Sequence, residues 1–351
     1  MEEAKSIANR DPVFDVLKGI GIIAVLAGHS GIWCAFVHTF HMPLFFFIAG
    51  YFFKQRSLRE EFHLGLKRLL VPYMFVSICI CSLAVAKNIF QGLDPITPAI
   101  QDHVLAHLLG YRNGAYPSWL FSEISISWFL LALFWARLSA ALIANKIKCA
   151  AARCILFILL GTICPAIYSN VPVPFCIPQG LGATGFLYAG MLMRQSSCLF
   201  PAQSSRSFLA PGVIGFAVWL EFLFLSLKTF PLDLSLCRYP NGFISSILYA
   251  VTTFLCIRHF VARFFNDSFL LWRGIHFVGR FSLIAYCAHA IEYSAFWDLF
   301  YKSGALFLFP IPSFVPIAKL LLHLAFTLSA TMFILKIQPL RAQIFQAAPT
   351  R

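Results

Sequence analysis

Phe14-Asp15-Val16-Leu17-Lys18-Gly19-Ile20-Gly21-Ile22-Ile23-Ala24-Val25-Leu26-Ala27-Gly28-His29-Ser30 decides how this chain is read. The stretch is apolar enough to cross a bilayer, yet it carries Asp15, Lys18 and His29. Ionisable groups in hydrocarbon are costly and rarely face lipid, so each is a candidate functional position. The step from Lys18 to His29 returns to within about 20° of its start at roughly 100° per residue, which puts both on one helix face. Asp15 lies one turn before Lys18 on nearly the same face. Gly19, Gly21 and Gly28 let a neighbouring helix come close. The helix therefore presents a polar seam to the protein interior, with His29 about 16 Å along the axis from Lys18.

Working outward, the rest of the chain has the same character. Of 351 residues, 60% are hydrophobic and 12% charged, about half the charged fraction of a soluble protein. Apolar runs of spanning length recur from end to end. The expected fold is all-α: a polytopic transmembrane bundle of about ten spans in one domain covering 1–351. The spans are expected near 13–36, 41–56, 69–91, 119–141, 153–170, 179–194, 208–227, 242–260, 275–297 and 315–336, with short tails at about 1–12 and 337–351. Because Met1-Glu2-Glu3-Ala4-Lys5 is acidic as well as basic, no cleavable signal peptide is expected.

The net charge of +13 does not point to nucleic acid, because the basic residues alternate by loop. Lys54, Arg56, Lys67, Arg68, Lys146, Lys148, Arg194 and Arg258 fall on one side of the predicted topology; Arg112, Lys228, Arg238 and Lys302 fall on the other. The bias predicts an even number of spans with both termini cytoplasmic; the expected location is integral and multi-pass, in a bacterial inner or plasma membrane. The loop from Gly92 to Ser118 is the longest on the outer side. The eleven cysteines show no CxxC or His/Cys metal spacing and read as small hydrophobes. His38 and His41 have no acidic or cysteine neighbour to complete a metal site, so no metal and no bound cofactor are expected.

His29 is the first chemical candidate, since a neutral imidazole in a span suits proton abstraction from a hydroxyl. The competing reading is a packing histidine bonded to another helix. Lys18 and Asp15 can pair at i, i+3, either as a snorkelling pair or to meet an anionic group. Lys67-Arg68-Leu69-Leu70-Val71-Pro72-Tyr73 puts two cations at a membrane boundary; they suit phosphate or serve as topology anchors. Glu123 precedes Trp128, which fits either an aromatic belt or a sugar-binding face. Ser282, Tyr286, His289 and Glu292 form another polar stripe, and Glu221 is isolated in the seventh span.

Taken together, Phe14-Asp15, Lys18-Gly19-Ile20, Gly28-His29-Ser30, Phe40-His41-Met42-Pro43-Leu44-Phe45-Phe46-Phe47-Ile48-Ala49-Gly50-Tyr51, Lys67 to Tyr73, Trp128-Phe129-Leu130 and Gly279 to His289 resemble the acyltransferase 3 family of integral-membrane O-acyltransferases. The resemblance is nearest to its fucose-acetylase-like, polysaccharide-modifying branch. It implies acyl transfer, commonly of acetyl, from cytoplasmic acyl-CoA as co-substrate to a hydroxyl of a glycan or glycolipid. The family's basic-residue and histidine pattern falls on Lys18 and His29. A frequent arginine is Lys18 here, and a frequent serine is Ala49.

The resulting expectation names His29 as general base or acyl relay, with Lys18 and Asp15 as the remaining catalytic residues. Lys67, Arg68 and Tyr73 are expected at the donor, and Ser30, His41, Tyr51, Glu123, Trp128 and His289 at the acceptor. Ser30, Tyr51 and His41 are the candidates for a donor to the developing oxyanion. The expected partners are acyl-CoA, the glycan or glycolipid acceptor, the bilayer and glycan-assembly proteins, with no nucleic acid. A glycan transporter or flippase using the same seam is the alternative.

Overall fold

The computed structural model describes residues 11–112, 120, 122–197, 220, 224, 232–239, 242–265, 268–295 and 315–346. The described residues are mostly helical and contain no strand, only one isolated bridge between Asp233 and Arg238. Six helical stretches are long and apolar enough to cross a membrane: Pro12–His29, Leu58–Phe90, Trp128–Lys146, Ala150–Asn170, Phe243–Val261 and Val315–Lys336. A shorter apolar stretch covers Phe36–Tyr51. The expected seventh span, 208–227, lies outside the described residues apart from Leu220 and Phe224.

Helix α1 (Pro12–His29) starts where Asp11 accepts a hydrogen bond from the Val13 amide and Pro12 takes the first turn, the standard chemistry of a helix start. It ends at His29, well short of residue 36. The Ser30 hydroxyl donates to the Leu26 carbonyl at 2.7 Å. Gly31 at φ 85° and Trp33 at φ 46° then turn the chain into the short α2 (Cys34–His38) and α3 (His41–Tyr51). His29 thus sits on the last turn of a helix, beside a break, and not mid-span.

The charged segment after α3 is helical, as its composition suggested. A capping box between Ser57 and Glu60 starts α4 (Leu58–Gly65). A π-helical turn, Leu66–Leu70, carries Lys67 and Arg68, and α5 (Val71–Phe90) continues from it. Such turns inside long helices frequently occur at functional sites. The predicted outer loop after Gly92 instead holds helix α6 (Pro98–Leu109), opened by Thr97 and Pro98 and closed by Gly110 at φ 64°. It folds back along α5, where the Tyr73 hydroxyl donates to the His107 carbonyl.

Helices α7 (Trp128–Lys146), α8 (Ala150–Asn170) and α9 (Ile177–Ser197) follow. Asn145 donates to the Arg56 carbonyl at 2.7 Å, so α7 ends where α4 begins. After α10 (Phe243–Phe264) the predicted ninth span is two helices, α11 (Leu270–Arg280) and α12 (Ser282–Ala295), broken at Phe281. Helix α13 (Val315–Lys336) keeps its predicted bounds.

The seam helix is central because its small residues admit α11. A Cβ built on Gly279 would lie 1.6 Å from the Asp15 carbonyl oxygen, and one on Gly19 would lie 2.1 Å from that of Ile275. Backbones this close are how helices pack where the hydrophobic effect supplies no drive between them.

Candidate active site

Helices α1, α12 and α13 bring four polar side chains together. His29 Nδ1 lies 2.9 Å from His289 Nε2. His289 Nδ1 lies 3.0 Å from Glu292 Oε2. His323 Nδ1, on α13, lies 2.7 and 2.8 Å from the two oxygens of the same carboxylate. His289, Glu292 and His323 are buried. His289 and Glu292 share a face of α12 at i, i+3.

The hydrogen-bond inventory orders the protons. The Glu292 carboxylate only accepts, so both His289 and His323 donate Nδ1–H to it. Neutral His289 then offers Nε2 as an acceptor, and His29 must donate Nδ1–H. The His29 Nε2 keeps its lone pair, which is the form needed to take a proton. A carboxylate holding a histidine in a fixed tautomer is the logic of hydrolytic triads, extended here by one imidazole. His289, Glu292 and His323 also converge closely enough to hold a cation. Their hydrogen bonds run unbroken from the carboxylate through His289 to His29, an arrangement able to pass a proton.

Two cavities flank the seam. One lies at the His29 end; its lining includes His29, His38, His41, Arg112, Trp128 and Asp233. The other lies at the Lys18 end; its lining includes Lys18, Phe52, Arg68, Arg137, Phe129 and Leu133. Tyr286 lines both, and its hydroxyl donates to the Ile126 carbonyl.

The cations of the second cavity are held in place. Lys18 Nζ is 3.3 Å from Asp15 and 5.9 Å from the centroid of the Phe52 ring. Asp15 is buried and also faces His276 at 3.8 Å. Arg137 places Nε and Nη2 at 2.7 and 2.6 Å from Glu61 Oε1, while Arg56 approaches the other oxygen at 3.6 Å. Two arginines on one buried carboxylate leave a net positive charge at this end.

The expected site residues divide on this geometry. His29, His41 and Trp128 line the first cavity, Lys18 and Arg68 line the second, and His289 bonds directly to His29. Glu123 pairs with Arg112 of the first cavity wall. Ser30 is spent on the Leu26 carbonyl, Tyr51 packs its ring 4.6 Å from Phe14, and Tyr73 is spent on His107. None of these three lines either cavity, and neither does Lys67, which is exposed. His323 and Arg137 were not anticipated. A lone Arg137 in an apolar run, and a histidine in the last span, were the signals available.

A sequence profile described as an acyltransferase domain matches residues 11–335, almost the whole chain. The chain belongs to this acyltransferase family. With its apolar spanning helices, it is a membrane acyltransferase. The nodulation protein NolL of Sinorhizobium fredii (strain NBRC 101917 / NGR234) is 28% identical over 220 residues, which is 57% of this chain and 54% of that protein. The chain thus spans about half the length of this relative. No solved structure matches.

Proposed function

We propose that this membrane acyltransferase moves an acyl group, acetyl in the first instance, from acyl-CoA to a carbohydrate hydroxyl of a glycan or glycolipid. The observation that carries this reading is the pair of cavities that share Tyr286 in their walls, one lined by cations and the other by His29, whose ring bonds the buried His289 behind it. Lys18, Arg68 and Arg137 suit the phosphates of CoA, through an ammonium and two planar guanidinium forks. Trp128, Asp233 and Arg112 give the His29 cavity an aromatic face with polar groups around it, which suits a sugar.

In the reaction, His29 Nε2 takes the proton of the acceptor hydroxyl as its oxygen attacks the thioester carbonyl. The tetrahedral intermediate collapses, the C–S bond breaks, and the CoA thiolate takes up the proton. Imidazolium on His29 is stabilised through His289 by Glu292. The oxyanion needs a donor; Trp128 brings an indole N–H and Arg112 a guanidinium to the same cavity, whereas Ser30 and Tyr51 stand outside it. His41 spends Nδ1 on the Val37 carbonyl at 2.6 Å, so its neutral ring offers an acceptor.

The ten-span topology with cytoplasmic termini belongs to this reading, with donor reached from the Lys18 end and acceptor from the His29 end. Purified protein should release CoA from acetyl-CoA only when an acceptor glycan is present. His29→Gln should lower that turnover by about 10²-fold or more. Glycan movement across sealed liposomes without CoA release would favour the transporter alternative.

A further inference from the structure

Outside both cavities, Cys81 of α5 and His103 and His107 of α6 bring one ligand atom each to within 4.8 Å of one another. We propose that these three side chains form a transition-metal site, with Zn²⁺ as the fitting ion, that fastens α6 to α5.

The orientation of His107 is the strongest support. Its Nδ1 donates to the His103 carbonyl at 3.0 Å. The ring nitrogen left over, Nε2, is deprotonated in the neutral tautomer and carries a lone pair. That nitrogen is buried and makes no hydrogen bond, in a residue only 3% exposed. A buried, unmatched acceptor is expensive, and a histidine whose other nitrogen is held by a backbone carbonyl is the arrangement of a metal ligand. His103 lies one turn away on the same face, with ring centroids 4.5 Å apart.

The donor set is two imidazoles and one thiol, which suits Zn²⁺. Zinc takes nitrogen at about 2.0–2.1 Å and sulfur at about 2.3 Å, so the 4.8 Å envelope closes by about 1 Å as the ion enters. Forming the Zn–S bond expels the Cys81 thiol proton to solvent, and water completes the coordination. Cys81 stands 22 and 26 positions before the two histidines, so no short spacing motif announces the site. The three residues line neither cavity; the role is to staple, not to catalyse.

The test uses the full chain, purified in detergent and stripped with chelator, then titrated with Co²⁺ and Zn²⁺. One equivalent of Co²⁺ should give a thiolate-to-cobalt charge-transfer band, displaced by Zn²⁺. Cys81→Ala, a substitution a half-buried small residue tolerates, should abolish the band and weaken Zn²⁺ binding by about 100-fold. His103→Gln should weaken it similarly. His323→Gln, which removes a member of the other His/Glu group, should leave the band intact. Absence of a thiolate band at one equivalent, or a band that survives Cys81→Ala, overturns the proposal.

Discussion

At the scale of single residues, the proposed mechanism makes His29 depend on Glu292, which never touches the cavity but accepts hydrogen bonds from both neighbouring imidazoles. Glu292→Gln keeps the volume, but its amide NH₂ donates where the carboxylate accepted, so His289 loses its tautomer and His29 its partner. Turnover should fall by about 10²–10⁴-fold with the donor KM little changed. Combining it with His29→Gln should add little further loss, because the two act as a unit. Additive losses in steady-state kinetics would break the relay. The cations divide in the same way. Arg68 lines the second cavity and Lys67 does not, so Arg68→Gln should raise the KM for acyl-CoA while Lys67→Gln leaves it unchanged. Equal effects would return both residues to the role of topology anchors. His29, Lys18 and Asp15 were legible in the sequence because charge in an apolar run stands out against its background. His323 and Arg137 stand out equally, but their meaning depends on which helices pack together. Glu292 looked like one member of a stripe until α13 supplied its second histidine.

At the scale of elements, the helical character was legible and the breaks were not. Hydropathy sees a run from 13 to 36, whereas the helix stops at His29 because the chain turns through Gly31 and Trp33. That break puts the His29 ring on a helix end, beside the cavity. Helix α6 was hidden because its composition is mixed, although Thr97-Pro98 is a usual helix opening. The α1–α11 crossing is the junction most sensitive to substitution. Gly279→Ala places a methyl where the Asp15 carbonyl already stands, and overpacking of this kind costs about 1–3 kcal/mol. It should lower the thermal midpoint of the detergent-solubilised protein and pull His276 away from Asp15. Gly274→Ala on the same helix meets nothing within 4 Å and should leave the midpoint essentially unchanged. Equal behaviour of the two variants would mean that the crossing is not tight.

At the scale of the whole molecule, the question is which end faces which compartment. Lys18 reaches over Phe52, Arg194 approaches the Phe53 carbonyl at 3.5 Å, and Asn145 bonds the Arg56 carbonyl. The segments holding Lys54, Arg56, Lys146 and Arg194 therefore gather at the Lys18 end. The near-continuous helix from Leu58 to Phe90 carries the chain about 50 Å away, to a turn with few cations. In the proposed topology, which rests on the positive-inside rule, the crowded end is the cytoplasmic one, where acyl-CoA resides, and the His29 cavity opens to the other side. Alkaline phosphatase fused after Asp94 should then be active outside the membrane, and the same reporter fused after Lys146 should be silent. In sealed inside-out vesicles, acetyl-CoA added to the exposed cytoplasmic face should acylate an acceptor trapped in the lumen. Right-side-out vesicles given the same donor externally should not. Equal transfer in both orientations would separate the cation-lined cavity from the cytoplasm, and the donor would then have to enter from the His29 side.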